Sequence, residues 1–354
     1  MDRTGPASPR AFSRALVTGG AGFVGSHVCE ALLRAGTAVV CVDDLSTGRA
    51  SNVAHLGHDP RFALVEHDVT QGLGGVTGRE RVDLVLHLAS PASPLDYFRL
   101  PLETLDAGSL GTRHALRLAH EQGARFVLAS TSEVYGDPAL HPQREDYWGN
   151  VNPIGPRSVY DESKRFAEAQ TAAWRRTTGL DAGIVRIFNT YGPRMRPDDG
   201  RMVPTFVAQA LAGDPVTVAG DGSQTRSLCY VDDLVRGLVA FAAHGGAGPV
   251  NLGADEERTV LRVALDVVAA TGSGSSVEFV GLPEDDPRRR RPDLGRAERE
   301  LGWRPRTPWS EGLRETVAWF RDSRDHAPGG PAAQGQDDSP DAITSSSRIS
   351  HPTG

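Results

Sequence analysis

An apolar run, ALVT, leads straight into TGGAGFVGS, and a helical pattern begins at once behind it. That order of strand, glycine loop and helix restricts the possible folds more than any other feature of the chain. Gly19, Gly22 and Gly25 stand in G-x-x-G-x-x-G spacing. The first glycine permits a tight turn, the second lets a pyrophosphate approach the backbone, and the third lets helix and strand pack closely. A phosphate on such a loop meets free N–H groups and the positive end of the helix dipole. Glycines at this spacing also make plain turns, so the surroundings have to decide. Here the next apolar run, AVVCVDD, delivers Asp43 at its end. An acid there accepts hydrogen bonds from an adenosine ribose diol and repels a 2'-phosphate, which favours NAD over NADP. Asp68, in HDV, is then expected against the adenine, although a surface-turn reading fits it too. HLAS, His87 to Ser90, is expected beside the pyrophosphate and nicotinamide ribose.

The runs ALVTG, AVVCVDD, FALVEHDV, VDLVLHLAS, ARFVLAST and AGIVRIFN each read as a buried parallel strand, with amphipathic segments such as HVCEALLRAG between them. Strand and helix in alternation predict an α/β fold, a Rossmann-type doubly wound parallel sheet. After Gly192 the pattern loosens. Short strands (PVTVAG, GPVNLG, SVEFVG) mix with helices (MVPTFVAQALAG, LVRGLVAFAAHG, LRVALDVVAATG), which predicts a smaller C-terminal α+β lobe for the substrate. The expected division is 14–190 for the dinucleotide domain and 191–325 mainly for the lobe. Residues 1–13 and 326–354 are small, polar and aperiodic, and are expected to be disordered.

A chain of 354 residues with 39% hydrophobic content has ample material for a core. The net charge of -7, with basic residues scattered except for Arg288 to Arg291, offers no broad cationic face for nucleic acid. The three cysteines, Cys29, Cys41 and Cys229, form no CxxC pair, so neither zinc nor a disulfide framework is expected. With no apolar leader and no membrane-length stretch, the expected location is the cytoplasm.

Tyr160 and Lys164 stand four apart in VYDESKRFAEAQ and share a helix face. An ammonium beside a phenol lowers the phenol pKa, and a phenolate can take a proton from a sugar hydroxyl while hydride leaves carbon. Many helices carry such a pair by chance. The preceding strand, however, ends in LASTSEVYG and brings Ser130, Thr131, Ser132 and Glu133 to the carboxyl edge of the sheet, where open α/β sheets bind ligands.

TSEVYG and YxxxK after a TGxxGxxG loop resemble the extended short-chain dehydrogenases, a family of epimerases, dehydratases and decarboxylases. More specifically, HLASPASPLDY, STSEVYGDPALHPQREDYWGNVNPIGPRSVYDESKR, RIFNTYGPRM, GDGSQTRSLCYVDDLVRGL and DDPRRRRPDL resemble UDP-glucuronate decarboxylases from about Arg14 to Arg321. The resemblance implies oxidation of the sugar at carbon 4 by NAD, loss of carbon dioxide from the β-keto acid, and return of hydride to give UDP-xylose. It implies Tyr160 as base, Lys164 as its pKa tuner and ribose anchor, and Thr131 as a hydroxyl bridge to carbon 4. Glu133 and Ser132 would orient the sugar and handle the carbon 5 proton, and Arg290 would hold a carboxylate or phosphate. A solvated surface patch is the plain reading of that arginine run. Related 4,6-dehydratases carry an aspartate where this chain has Ser132, which disfavours dehydration.

By the same resemblance the dinucleotide would contact Gly19, Gly22, Phe23, Val24, Gly25, Asp43, Asp44, Ser46, Thr47, Asp68, Val69, Leu88, Ala89, Ser90, Ala129, Tyr160, Lys164 and Thr190. The UDP-sugar would contact Pro91, Asn189, Arg201, Val218, Arg226, Tyr230 and Arg290, with PVTVAG pairing its backbone to the uracil; each could instead be an ordinary surface residue. No metal is expected, and a homodimer built on a four-helix interface is. A 4-epimerase, a 4,6-dehydratase or a non-catalytic NAD-binding protein would keep the same cofactor residues. One departure stands out: Asp106, Ala107 and Gly108 occupy positions where the family usually carries Lys-Thr-Asn. Weaker grip on the keto intermediate, with escape of some UDP-4-keto-pentose, is the expectation that follows, unless other residues compensate.

Overall fold

The computed structural model describes residues 10–282 and 288–325. The expected disordered tail, 326–354, and most of the expected N-terminal segment lie outside the described residues. The first half of the chain runs β1 (Arg14–Thr18), α1 (Phe23–Arg34), β2 (Ala38–Asp43), β3 (Phe62–Glu66), β4 (Leu84–His87), α2 (Pro94–Arg99), α3 (Pro101–Asp106), a π-helical turn (Ala107–Gly111), α4 (Thr112–Gln122), β5 (Arg125–Thr131), α5 (Ser158–Thr178) and β6 (Ala182–Ile187). Then come β7 (Thr190–Tyr191), α6 (Met202–Ala212), β8 (Val216–Ala219), β9 (Thr225–Ser227), β10 (Cys229–Tyr230), α7 (Val231–His244), β11 (Val250–Leu252), β12 (Glu257–Thr259), α8 (Val260–Thr271), β13 (Val277–Val280), β14 (Arg289–Arg290), α9 (Gly295–Leu301) and α10 (Trp309–Asp325).

Seven parallel strands make the main sheet in the order β11-β6-β5-β4-β1-β2-β3. The order reverses between β1 and β4, which opens a crevice at their carboxyl ends. Residues of β1, β2, β4 and β5 are almost wholly buried, since helices cover both faces of a doubly wound sheet.

Three strand and helix readings are corrected. FALVEHDV is not a buried strand: β3 is an edge strand, mostly exposed or half-buried, and it ends at Glu66 before HDV. GPVNLG does not belong to the small lobe, because β11 pairs with β6 as the seventh strand of the main sheet. LVRGLVAFAAHG does not either. Its helix α7 packs on α1, and Leu234, Val235, Leu238 and Phe241 share one core with Val28, Leu32 and Leu33. Periodicity reports which face of a segment is apolar, not which partner covers it.

The lobe proper has its own core. Phe206 and Val207 of α6, Val263, Ala264 and Val267 of α8, Val216 and Val218 of β8, and Leu313, Val317 and Phe320 of α10 meet there. Among the described residues no helix is long and apolar enough to cross a membrane.

Candidate active site

A cavity of about 1050 Å³ opens along the carboxyl ends of β1, β2, β4, β5 and β6, and the lobe forms its far wall. Every residue named above as a dinucleotide contact lines it. Gly19 has φ +68, and a Cβ there would lie 2.7 Å from the backbone nitrogen of Ala89, so only glycine fits. A Cβ on Gly25 would fall 2.0 Å from the Gly19 carbonyl oxygen, which is why α1 can start so close to β1. Gly22 caps α1 in extended geometry with no side-chain cap and no acid in the first turn, so the helix N–H groups face the cavity. Asp43 is buried and accepts hydrogen bonds from the Ala21 and Leu45 amides, both at 2.9 Å, yet each oxygen keeps a lone pair for a diol. Burial raises its carboxyl pKa. Asp68 lines the cavity and also caps a turn, accepting from the Thr70 amide at 2.8 Å and hydroxyl at 2.7 Å. The turn reading of that residue holds, and its place on the cavity wall leaves it within the same cavity as the glycine loop.

Tyr160 and Lys164 are buried on one face of α5. Lys164 Nζ donates to the Ala129 carbonyl at 3.1 Å and lies 5.9 Å from the centre of the Tyr160 ring. Burial pushes the ammonium down to about 8. The expected lowering of the phenol by lysine is not what the geometry gives. Burial pushes Tyr160 up to about 12, opposed by a hydrogen bond with Thr131 and by the charge of Arg201 rather than of Lys164.

Glu133 sits in the turn Ser132–Tyr135 that ends β5, where the Thr131 hydroxyl accepts from its amide at 3.2 Å. Arg290 grips its carboxylate with both terminal nitrogens, the second at 2.8 Å, and Arg157 adds a bond at 2.9 Å. Burial alone would favour the neutral acid, but the charges of Arg290 and Arg157 win and hold Glu133 down to about 2. Arg290 is thus placed on Glu133, rather than open to receive a substrate carboxylate alone. Arg288 and Arg289 are exposed, as the surface reading held, while Arg290 is only 4% exposed.

Three residues of this cluster escaped the sequence reading: Tyr97, Arg157 and Asp161. The Tyr97 hydroxyl and Asp161 Oδ1 are buried with no hydrogen-bond partner among the described residues. Burial and the Glu133 charge raise Asp161 to about 7. Nothing local marks these residues; only the fold brings α2 and the first turn of α5 against the turn after β5.

Of the expected substrate contacts, Pro91, Asn189, Arg201, Arg226 and Arg290 line the cavity. Val218 and Tyr230 do not. The Val218 side chain is fully buried in the lobe core. Val216 and Gly220 donate to Ser276 and Val280, so the period of two turns the Val218 amide toward β13 as well. Thr217 and Ala219 face the cavity instead. Tyr230 packs edge-on against Tyr191, at 5.7 Å between ring centres.

The family model described as NAD dependent epimerase/dehydratase family matches residues 15–253. The chain belongs to that family. Among curated members, UDP-glucuronic acid decarboxylase 1 of Xenopus tropicalis is 48% identical over 314 residues, covering 88% of this chain and 73% of its own. UDP-glucuronic acid decarboxylase 3 of Arabidopsis thaliana is 47% identical over 302 residues, covering 85% and 86%. Among solved structures, a dTDP-glucose 4,6-dehydratase of Streptomyces venezuelae with NAD bound superposes with TM-score 0.79 at 34% identity, over 88% of this chain and 98% of that one. The UDP-glucose 4-epimerase of Thermotoga maritima with UDP-glucose gives TM-score 0.80 at 29% identity, over 88% and 99%.

In this chain the departure at Asp106–Gly108 coincides with a tight helix contact. Asp106 and Ala107 line the cavity. A Cβ on Gly108 would lie 2.6 Å from Ser163 Cβ and 2.8 Å from the Ser163 carbonyl oxygen. Glycine at 108 lets α5 carry a serine directly before Lys164.

Proposed function

We propose that this chain is a UDP-glucuronate decarboxylase, an NAD-dependent carboxy-lyase that makes UDP-xylose through a 4-keto intermediate. The observation that carries the reading is Glu133 fixed by Arg290 and Arg157 beside Tyr160, Thr131 and Lys164 on one cavity wall. The identity with the named decarboxylases supports it, and so does serine rather than an acid at position 132.

The glycine loop, the free N-terminus of α1 and Asp43 fit a dinucleotide, with Lys164 toward its ribose. Its nicotinamide supplies the group that accepts hydride from carbon 4 and later gives it back. Tyr160, hydrogen-bonded to Thr131, takes the proton of the 4-hydroxyl. The keto group so formed lies β to the carboxylate. The carbon 5 to carbon 6 bond then breaks, its electron pair moves toward the carbonyl oxygen, and carbon dioxide leaves. Arg290 and Arg157 hold positive charge near the departing carboxylate while Glu133 keeps both guanidiniums in place. Carbon 5 then takes up one proton from solvent, and Tyr160 returns its own proton to oxygen 4 as hydride comes back to carbon 4. Asp106, an acid on the cavity wall, weakens retention of the keto sugar, and part of it escapes as UDP-4-keto-pentose.

Incubation with UDP-glucuronate and NAD should release carbon dioxide and yield UDP-xylose by mass. A carbon 4 epimer of the unchanged acid, or no gas, would overturn the assignment. Product lacking any 4-keto species would remove only the escape of intermediate.

We also propose a homodimer. Helices α3 and α5 pack side by side and leave Leu102, Leu105 and Phe166 exposed, an apolar surface that a second copy would cover in a four-helix interface. Light scattering should give twice the chain mass, and Phe166→Glu should halve it. Buried, unbridged cysteines suit a reducing cytoplasm.

A further inference from the structure

Arg290 lies in a two-residue strand, paired on one side with Arg226 of β9. Such a short ladder fixes its register weakly. Immediately downstream the chain is gripped by Gln143, which is fully buried and does not line the cavity. The Gln143 amide donates to the Arg291 carbonyl at 2.9 Å, its side-chain Oε1 accepts from the Arg291 amide at 2.8 Å, and its carbonyl accepts from the Asp293 amide at 2.8 Å. Its Nε2 donates to the Leu140 carbonyl at 2.9 Å. Asn251, also fully buried, fastens this clip to the sheet: Nδ2 donates to the Gln143 carbonyl at 3.0 Å and the Asp293 carbonyl at 3.3 Å. Asn251 Oδ1 in turn accepts from the Tyr135 hydroxyl at 2.8 Å. Tyr135 belongs to the same single turn as Glu133. Buried hydrogen bonds therefore tie both partners of the Glu133–Arg290 pair to one node.

We infer that Gln143 is a positioning residue: with Asn251 it sets Arg290 in register against Glu133, and so serves the bond-breaking step without touching the substrate. This rests on the decarboxylase reading above. A bidentate pair tolerates little misplacement, and a shift of about 1 Å at a catalytic group can cost about a hundredfold in rate. Tyr160, Lys164 and Thr131, which serve oxidation, lie outside the clip.

Gln143→Met keeps the volume and removes both side-chain hydrogen bonds, and Asn251→Asp removes the two Nδ2 bonds but keeps the acceptor for Tyr135. With UDP-glucuronate, both variants should build up NADH absorbance while carbon dioxide release drops about tenfold or more. Gln143→Glu keeps an acceptor for the Arg291 amide and should recover most of the release. Amide hydrogen exchange at Arg291 and Asp293 should quicken in Gln143→Met. If the wild-type protein evolves carbon dioxide but the variants slow both steps alike, or neither, the positioning role is overturned. If the wild type evolves none, the decarboxylase reading fails, and unchanged exchange at Arg291 would then overturn the clip as well.

Discussion

Tyr97 lies flat on Tyr160, with ring planes 6° apart and centroids 5.4 Å apart. The stack packs one ring face of Tyr160, and the Tyr97 hydroxyl remains without a partner among the described residues. Tyr97→Phe keeps the stack and removes a buried orphan, so thermal stability should hold or rise by about 1 kcal/mol. Since that hydroxyl is the one polar atom lost, KM for UDP-glucuronate should rise while kcat changes little. Tyr97→Ala, by contrast, should cost about 3–5 kcal/mol in a denaturation curve. Equal stability of the two variants would show that the stack carries no load.

Tyr160→Phe should abolish carbon dioxide release, because no other group at this position can take the 4-hydroxyl proton. Dinucleotide affinity, measured by calorimetry, should stay within a few fold. Residual turnover near the wild-type rate would move the base elsewhere.

Lys164 gives a prediction with a defined sign. Burial holds its folded pKa at about 8, below its ordinary value of 10.5, so the unfolded chain binds the extra proton between those values. Stability therefore rises with pH across that window, and below it the buried charge is a constant cost. Lys164→Met should be inactive yet more stable at pH 7, by on the order of 2–3 kcal/mol. The gain should vanish above about pH 10.5, which thermal melts across pH would reveal.

Glu133 has the opposite sign. Its carboxyl is held down to about 2, so its pairing stabilises the fold above the ordinary carboxylate range and is lost as pH falls toward 2. Glu133→Gln removes the negative charge that Arg290 and Arg157 share and replaces one acceptor oxygen with a donor, and should destabilise by about 3–5 kcal/mol at neutral pH. Its melting temperature should also lose much of the acid dependence seen in the wild type. Carbon dioxide release should fall by about two orders of magnitude, since both arginines lose their anchor.

Gly108 tests the contact with Ser163. Gly108→Asn alone should destabilise by about 1–3 kcal/mol, the usual cost of overpacking. Adding Ser163→Gly should restore part of that, leaving the backbone contact of 2.8 Å as the remainder. Simple additivity of the two changes in a double-mutant cycle would argue against coupling.

The glycine loop could be read directly, because each glycine answers a local demand: a positive φ at 19, a close helix start at 25. Asp43 was legible for the same reason, as the last residue of a strand feeding the same crevice. Tyr160 and Lys164 were legible as a helix pair. What pairing of strands and packing of helices decided was different in kind. One arginine of a run of four turns inward onto Glu133 because β14 pairs with β9 there, and no local pattern distinguishes it. Tyr97 reaches the site from a segment far from Tyr160 in the chain, and Arg157 stands three residues before Tyr160 but turns to Glu133, a partner only the fold supplies. Val218 and β11 were misplaced because alternation tells which residues are buried but not against which neighbour. The sequence alone determined the α/β fold, the tight glycine loop and the pairing of Tyr160 with Lys164 on one helix face, since these depend on contacts within a few residues. Only the tertiary structure decided which charges pair, which phenols stack and how the lysine is desolvated, because those depend on distances between residues that the chain itself keeps far apart.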